Sequence, residues 1–273
     1  MTDAPAPRPP LDRDRLRAAA STWRVEVVDT APSTNAVVAN RARDAAAHGL
    51  VVVAEHQTAG RGRLDRTWET PARAALTFSV LLRPTRPAAD WPWLPLLAGH
   101  AVATALHELE VPAVLKWPND VLVATGPAEE EAKVAGLLLE RIDTPEGAAA
   151  VLGIGVNVTS TRAELPVETA TSVLLASGSA PDRTDLMLAL LAGLTREYDA
   201  WQRGADESLR SSYASACVTL GRDVRVDLPG GEVLTGRARG IDEGGRLLVG
   251  ETSVGAGDVV HVRASSAPGS DDQ

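Results

Sequence analysis

The segment 55–68, EHQTAGRGRLDRTW, sets Arg61, Arg63 and Arg66 around Gly60 and Gly62, directly after the apolar run LVVVA. Glycines let backbone N–H groups approach a ligand closely, and forked guanidinium groups suit carboxylates and phosphates. The pattern reads as a loop able to wrap an anion. A solvated loop whose arginines pair with surface acids has the same composition.

Three further segments carry groups of matching chemistry. In LKWPND, Asn119 and Asp120 follow a proline turn and offer oxygens to a magnesium ion, or an acceptor to an amine. A hairpin turn accounts for the same residues without chemistry. Lys133, in AKVAGLLLE, either snorkels to the surface or points inward as a fixed cation beside a phosphate, with Gly136 leaving room for a ligand. GIGVNV ends an apolar run in small residues and Asn157, which lets a flat group approach.

Other chemistries lack their signatures. The chain has no G-x-x-x-x-G-K-[ST] loop, no G-x-S-x-G elbow and no zinc spacing among its histidines. Gly153-Ile-Gly155 starts like a dinucleotide fingerprint, but Val158 stands where the third glycine belongs.

These segments need elements to hold them. WRVEVVD alternates as a half-buried strand, LVVVAEH and AALTFSVLL read as strands, and APSTNAVVANRARDAAA begins a helix at Ser/Thr. After Asp90, the positions Leu94, Leu97, Ala98, Ala101, Val102, Ala105, Leu106 and Leu109 share one helical face, with Pro92 and Pro95 confining the helix start. VLKW, VLV, KVAGLLLER and GAAAVLGIGVNV read as strands, with TGPAEEE a solvated hairpin tip whose glutamates have no assigned role. A short helix is expected over 11–20 and a long one over 182–201, N-capped by Asp182. From about Gly221, short β runs separated by Pro-Gly-Gly and Glu-Gly-Gly form a small barrel, too small to stand alone and expected to pack on the larger unit. The Pro-rich residues 1–10 and the polar residues 265–273 read as disordered tails.

With 273 residues the chain is long enough for a sizeable core. Its net charge of −9 argues against binding nucleic acid through phosphates, though a local basic site remains open. Cys217 is the single cysteine, which rules out an internal disulfide and fits a reducing compartment. No apolar run approaches the ~20 residues of a membrane span, and the N-terminus lacks a signal peptide's apolar core. A soluble, cytoplasmic protein is expected.

In chain order, STN, GRGR…W, KWPND, KVAGLLLE and GIGVNV resemble the catalytic core of the biotin–protein ligases. The resemblance continues through PDRTDL into the C-terminal β unit, spanning about 23–263, and is to the short class without an N-terminal DNA-binding repressor domain. It implies an α+β fold: a mixed, largely antiparallel sheet flanked by helices, class II synthetase-like, with a small C-terminal SH3-like β-barrel. The implied division is 1–20 tail and short helix, 21–218 catalytic domain, 219–264 SH3-like domain and 265–273 tail.

The resemblance also implies a two-step reaction using biotin, ATP and Mg²⁺. Biotin is activated as biotinyl-5′-AMP and passed to a lysine on the biotin carboxyl carrier domain of an acyl-CoA carboxylase. By similarity, Ser33, Thr34, Gln57 and Arg61 face biotin's ureido ring, with Gly60, Gly62, Arg63, Lys133 and Gly136 also at the biotin site. Arg63, Arg66, Asn119, Asn157 and Arg183 are implied on the ATP side. Lys133, Arg63 and Asp120 are implied in catalysis, and Asn119 with Asp120 at the metal. A nucleotide-covering loop is expected within 159–171. Leu64-Asp65 stands where another glycine or basic residue is expected. The expected partners are the carrier domain and small molecules, with no DNA and no membrane, in a monomer or weak ligand-dependent homodimer. A lipoate or octanoate transferase shares this architecture, but its tunnel would be mostly apolar. A non-catalytic biotin sensor would have no use for Lys133.

Overall fold

The computed structural model describes residues 7–19, 22–64, 66–124 and 131–262. Seven strands make the main sheet: β1 (Arg24–Val28), β2 (Leu50–Ala54), β3 (Ala75–Leu82), β4 (Ala113–Lys116), β5 (Asp120–Ala124), β6 (Glu131–Thr144) and β7 (Gly147–Asn157). Their order is β1-β2-β3-β7-β6-β5-β4, with β1 parallel to β2 and the other neighbours antiparallel. This is the mixed, largely antiparallel sheet that the resemblance implied. The helices are α1 (Arg13–Ala19), α2 (Thr34–Arg43), α3 (Trp93–Glu108), α4 (Val173–Ser177), α5 (Arg183–Gln202) and α6 (Asp206–Ala216).

Strand alternation sorts the side chains between two faces. Val51 and Val53, Phe78 and Val80, and Leu152 and Ile154 join the larger core under α3 and α5. Leu50, Val52, Leu81, Ala149 and Val151 face α2 and its Val38 and Ala42. Further along β3 and β7, the α2-facing positions become Ser79 and Thr77, Gly153 and Gly155. That face is therefore apolar at one end and polar, with a glycine floor, at the other.

α3 is buried on more than its expected stripe, with Trp93, Leu96, Gly99 and Ala103 also inside. The sheet takes one side and α5 the other, where Gly193 lets α5 approach Ala101 closely. Leu109 was expected on the buried stripe. It is 40% exposed because it sits at the C-cap, where the chain leaves helical geometry. Asp182 caps α5 as expected, accepting from the amides of Thr184 and Asp185. α6 was not foreseen: DESLRSSYASA is mostly polar and buries only Leu209 and Tyr213.

Residues 7–10 are pinned, contrary to the expected tail, as are Leu11 and Asp12 ahead of α1, while 1–6 lie outside the described residues. The buried ion pair of Glu55 and Arg183 (2.6 Å) explains this. Buried charges need further hydrogen bonds. The Leu11 amide donates to Glu55 Oε1, and the Pro9 carbonyl accepts from Arg183. Arg8 then reaches Glu164 at 2.6 Å.

Strands β8 (Asp223–Asp227), β9 (Val233–Ile241), β10 (Leu247–Val249), β11 (Thr252–Val254) and β12 (Asp258–His261) form a second sheet, ordered β11-β10-β9-β8-β12. Its inward residues, Val224, Val226, Ala238 and Leu247 among them, belong to the same continuous core as α3. Trp93 Nε1 donates to the Glu243 carbonyl at 2.7 Å and Trp117 Nε1 to that of Gly245 at 3.1 Å. Gly245 needs its positive φ of +79 and its missing side chain, because a Cβ would press on Pro92 and Trp93 at 3.3 Å. The hairpin tip 125–130, Asp65 and residues 263–273, with the expected C-terminal tail, lie outside the described residues. Glu131, read as part of that tip, begins β6 instead and pairs with Arg222 at 2.6 Å.

His261 closes this contact, its Nδ1 3.0 Å from Arg222 Nη1 and its Nε2 3.2 Å from Thr219 Oγ1. Burial, then the charges of Lys116 and Arg222, push its pKa from 6.5 down to about 4. Glu131 lies 4.0 Å away, but both its oxygens are taken by Arg222. The unfolded chain therefore binds a proton near pH 6.5 that the folded chain refuses until about pH 4. Stability from this site is full above pH 6.5 and falls as pH drops toward 4, by up to about 3 kcal/mol. Urea melts between pH 7 and 5 should show a decline that His261→Gln flattens; parallel curves would exclude the assignment.

Candidate functional site

A cleft of about 810 Å³, partly open to solvent, lies on the polar end of the α2-facing side of the sheet. Its floor is Gly136, Gly153 and Gly155, brought together by register: Gly136 pairs Gly155 and Leu138 pairs Gly153. The missing side chains are occupied by neighbours. A Cβ on Gly153 would meet Asn35 Oδ1 at 2.3 Å, and one on Gly155 would meet the Trp68 indole at 2.6 Å.

One end of the cleft is neutral and polar. Ser33 stands at the N-cap of α2 but makes no capping bond; Gln57 Oε1 accepts from the Thr34 amide at 2.7 Å instead. The Ser33 side chain is thus left to line the cleft with Thr34, Asn35, Gln57 and Thr77. Ser79 Oγ lies 2.7 Å from Thr34 Oγ1 and 2.5 Å from Asn35 Oδ1, so the polar groups hold one another in place.

The other end is cationic. Between Val121 and Leu122 of β5 the register with β6 shifts, so that Lys133 and Gly136, three apart, reach the same face. A β-bulge re-aims a side chain in this way. Lys133 lies over Gly136, where a Cβ would be 3.0 Å from its Nζ, and pairs with Asp120 at 2.5 Å. Beyond the bulge, the Lys133 main chain pairs with Thr169 and Thr171, which places the 159–171 segment alongside.

The arginine loop is a narrow hairpin, with Arg61 bridged to Thr67 and the Gly62 amide donating to the Arg66 carbonyl at 2.6 Å. At its tip Leu64 has φ +53, the left-handed region that suits glycine better and explains why a glycine is expected there. Each arginine is held by a different element. Arg61 pairs with Glu140 of β6 at 3.0 Å, and Glu140 also accepts from Asn35 at 2.6 Å. Arg63 donates to Asn119 Oδ1 at 3.1 Å. Arg66 pairs with Asp258 of β12. Burial lowers the pKa of Arg63, opposed by the charges of Asp120 and Asp258.

Most sequence-expected residues thus meet at one cleft: Ser33, Thr34, Gln57, Arg61, Gly62, Arg63, Arg66, Asn119, Asp120, Lys133 and Gly136. Three do not line it. Gly60 packs beneath Trp68 and Gln57, leaving 2.2 Å to the Trp68 carbonyl for a Cβ. Asn157 is buried and donates to the Thr171 carbonyl at 2.9 Å. Arg183 is buried against Glu55, with its other donors on Ala75 and Pro9. In this arrangement Arg183 is engaged with buried partners and does not face the cleft.

The pairing of Asn119 and Asp120 does not fit a magnesium site here. The Asn119 oxygen accepts from Arg63, its amide donates to the Leu137 carbonyl, and the Asp120 carboxylate faces Lys133. Among the described residues, no cluster of three or more His, Cys, Asp or Glu could hold a metal ion.

Sequence reasoning missed Asn35, Trp68, Thr77, Glu140 and Asp258. Asn35, Trp68 and Glu140 stood inside quoted motifs. Asp258 had no local signal, being 192 residues from Arg66.

Residues 27–157 match the Biotin/lipoate A/B protein ligase family, and residues 219–262 match the Biotin protein ligase C terminal domain. The chain is 44% identical to the biotin–[acetyl-CoA-carboxylase] ligase of Mycobacterium tuberculosis, over 96% of this chain and 100% of that protein. It is 31% identical to the bifunctional ligase/repressor BirA of Bacillus subtilis, over 83% of this chain and 69% of that one. The biotin protein ligase of Aquifex aeolicus in complex with biotin and ATP superposes with a TM-score of 0.73 at 28% identity, over 88% of this chain and 99% of that one.

The glycine floor is open to a direct check. Gly155→Ala sets a methyl against the Trp68 indole and should lower stability by about 1–3 kcal/mol, with a shift in tryptophan emission. In a Trp68→Ala background the same substitution should cost almost nothing. Equal costs in both backgrounds would show that Trp68 does not rest on Gly155.

Proposed function

The chain belongs to the biotin/lipoate A/B protein ligase family, and from that premise we propose that it is an ATP-dependent biotin–protein ligase. The observation that carries the reading is a single cleft whose neutral polar end and cationic end are joined by a glycine floor. A ligand with a neutral hydrogen-bonding head and an anionic tail matches that division, as biotin's ureido ring and carboxylate do.

In the first step a biotin carboxylate oxygen attacks the α-phosphate of ATP. The bond to the bridging oxygen of the β-phosphate breaks, giving biotinyl-5′-AMP and pyrophosphate. In the second, a carrier lysine, as the free amine, attacks the acyl carbon; the amide forms, AMP leaves and the amine's proton is released. The first step brings an anion against an anion, so alignment and charge neutralisation are the main requirement. We assign Ser33, Thr34, Gln57 and Arg61 to the ureido head, and Gly62 and Gly136 to close approach. Arg63 and Lys133 meet the forming acyl phosphate, with Asp120 orienting Lys133. Arg66 serves the phosphates. Magnesium is the expected companion of the nucleotide, and the Asn119–Asp120 pair, already engaged with Arg63 and Lys133, is not assigned to hold it. No described helix is long and apolar enough to cross a membrane, and the cytoplasm, where ATP and acyl-CoA carboxylases meet, is the proposed location.

The second reading, transfer of lipoate or octanoate, is favoured by the shared family but not by the polar head site. ATP–pyrophosphate exchange decides between them: exchange is expected with biotin and not with lipoate or octanoate, and the converse would move the assignment to lipoyl transfer. Lys133→Ala should lower biotin-dependent exchange by about 100-fold or more; normal exchange would remove Lys133 from the chemistry. Arg63→Ala should lose more in retention of biotinyl-AMP than in the rate of its synthesis. Unchanged release from that variant would exclude a retaining role.

A further inference from the structure

The edge strand of the C-terminal sheet, β12, begins at the catalytic cleft. Gly257 and Asp258 line it beside Gly62, Arg63 and Arg66. The Asp258 carboxylate accepts from the Arg66 guanidinium, and its charge also acts on Arg63. The position of Asp258 is set by the barrel. A Cβ on Gly257 would lie 2.5 Å from Val226 Cγ1 and 3.2 Å from the Asp227 carbonyl, so the backbone is pressed on β8. Val259, next in the chain, is in the core. Close-packed backbone transmits position with little slack.

The receiving hairpin is equally constrained. Gly62 bonds to Arg66, and Arg61 to Thr67, so a hold on Arg66 is a hold on all three arginines. Arg61 and Arg63 are tied to the main sheet through Glu140 and Asn119. Among the described residues, Asp258 supplies the hairpin's ion pair to the barrel.

We infer that Asp258 is a positioning residue for the reaction: through Arg66 it holds the hairpin over the cleft and makes retention of the acyl-adenylate depend on the barrel. The inference rests on the ligase reading above. Asp258 acts through its ion-pair partner Arg66, the arginine assigned above to the phosphates. The pair is partly exposed, so its effect is modest, on the order of three- to fivefold.

The full-length protein is loaded with biotin and ATP, passed rapidly through a desalting column, and followed for release of biotinyl-5′-AMP. Asp258→Asn should speed release about three- to fivefold, and Asp258→Glu should stay within about twofold of the unsubstituted protein. In an Arg66→Gln background, Asp258→Asn should add nothing, because both changes break one interaction. Unchanged release by Asp258→Asn, or an equal effect in both backgrounds, would overturn the inference. Hydrogen exchange without ligand is the second readout: Asp258→Asn should raise exchange at 60–68 and leave the barrel strands unchanged, whereas a general rise would assign Asp258 to folding alone and overturn it. Failure of the unsubstituted protein to form any adenylate would instead overturn the ligase reading.

Discussion

Four cations, Arg61, Arg63, Arg66 and Lys133, crowd one cleft, and their mutual repulsion is the constraint around which the site is built. Each is met by its own oxygen partner: Glu140 on β6, the adjacent Asn119 and Asp120 where β5 begins, and Asp258 on β12. Individually such pairs contribute at most about 1 kcal/mol where exposed. Together they hold positive charge in place before an anionic substrate arrives, so no reorganisation is needed at the moment of reaction.

Holding those charges on one face depends on the geometry of the sheet. β3, β7 and β6 alternate strictly enough to place Thr77 and Ser79, Gly153 and Gly155, and Gly136 side by side. Strict alternation would have sent Lys133 to the opposite face from Gly136. The irregularity opposite Val121 and Leu122 corrects this, with Val134 and Ala135 both turned into the core. The glycines then leave the volume that Trp68, Asn35 and the Lys133 chain occupy. The direction of Lys133 and the packing of the core are thus set by the same bulge.

Two distant segments brace the surroundings of the cleft. Residues 7–12 satisfy the buried Glu55–Arg183 pair and reach the 159–164 segment through Arg8, whose contact holds the Glu164 pKa down to about 2. The barrel docks through Trp93, Trp117 and the Glu131–Arg222–His261 chain, and so comes within reach of the arginine hairpin. Of the two, the C-terminal unit borders the cleft itself, through Gly257 and Asp258.

Periodicity and turn chemistry are local, and what depends on them was legible in the sequence. The strands and long helices, the Asp182 cap, the glycine–arginine loop and the turn at Pro118-Asn119 all follow from residues within a few positions of one another. The motifs that carry the family resemblance are local too, and they located the cleft. Which partner a charge meets is decided through space. Arg183, at the start of α5, meets Glu55 in the core; Asp258 carries no local signal and meets Arg66 only because β12 is laid beside the hairpin. The direction of Lys133 follows from a bulge that no pattern in KVAGLLLE announces. The sequence by itself determined the elements, the family and the residue types of the site. The tertiary structure alone decided which of those residues face the cleft and which neutralise one another, because a Coulomb or hydrogen-bonded contact depends on separation in space and not on separation along the chain.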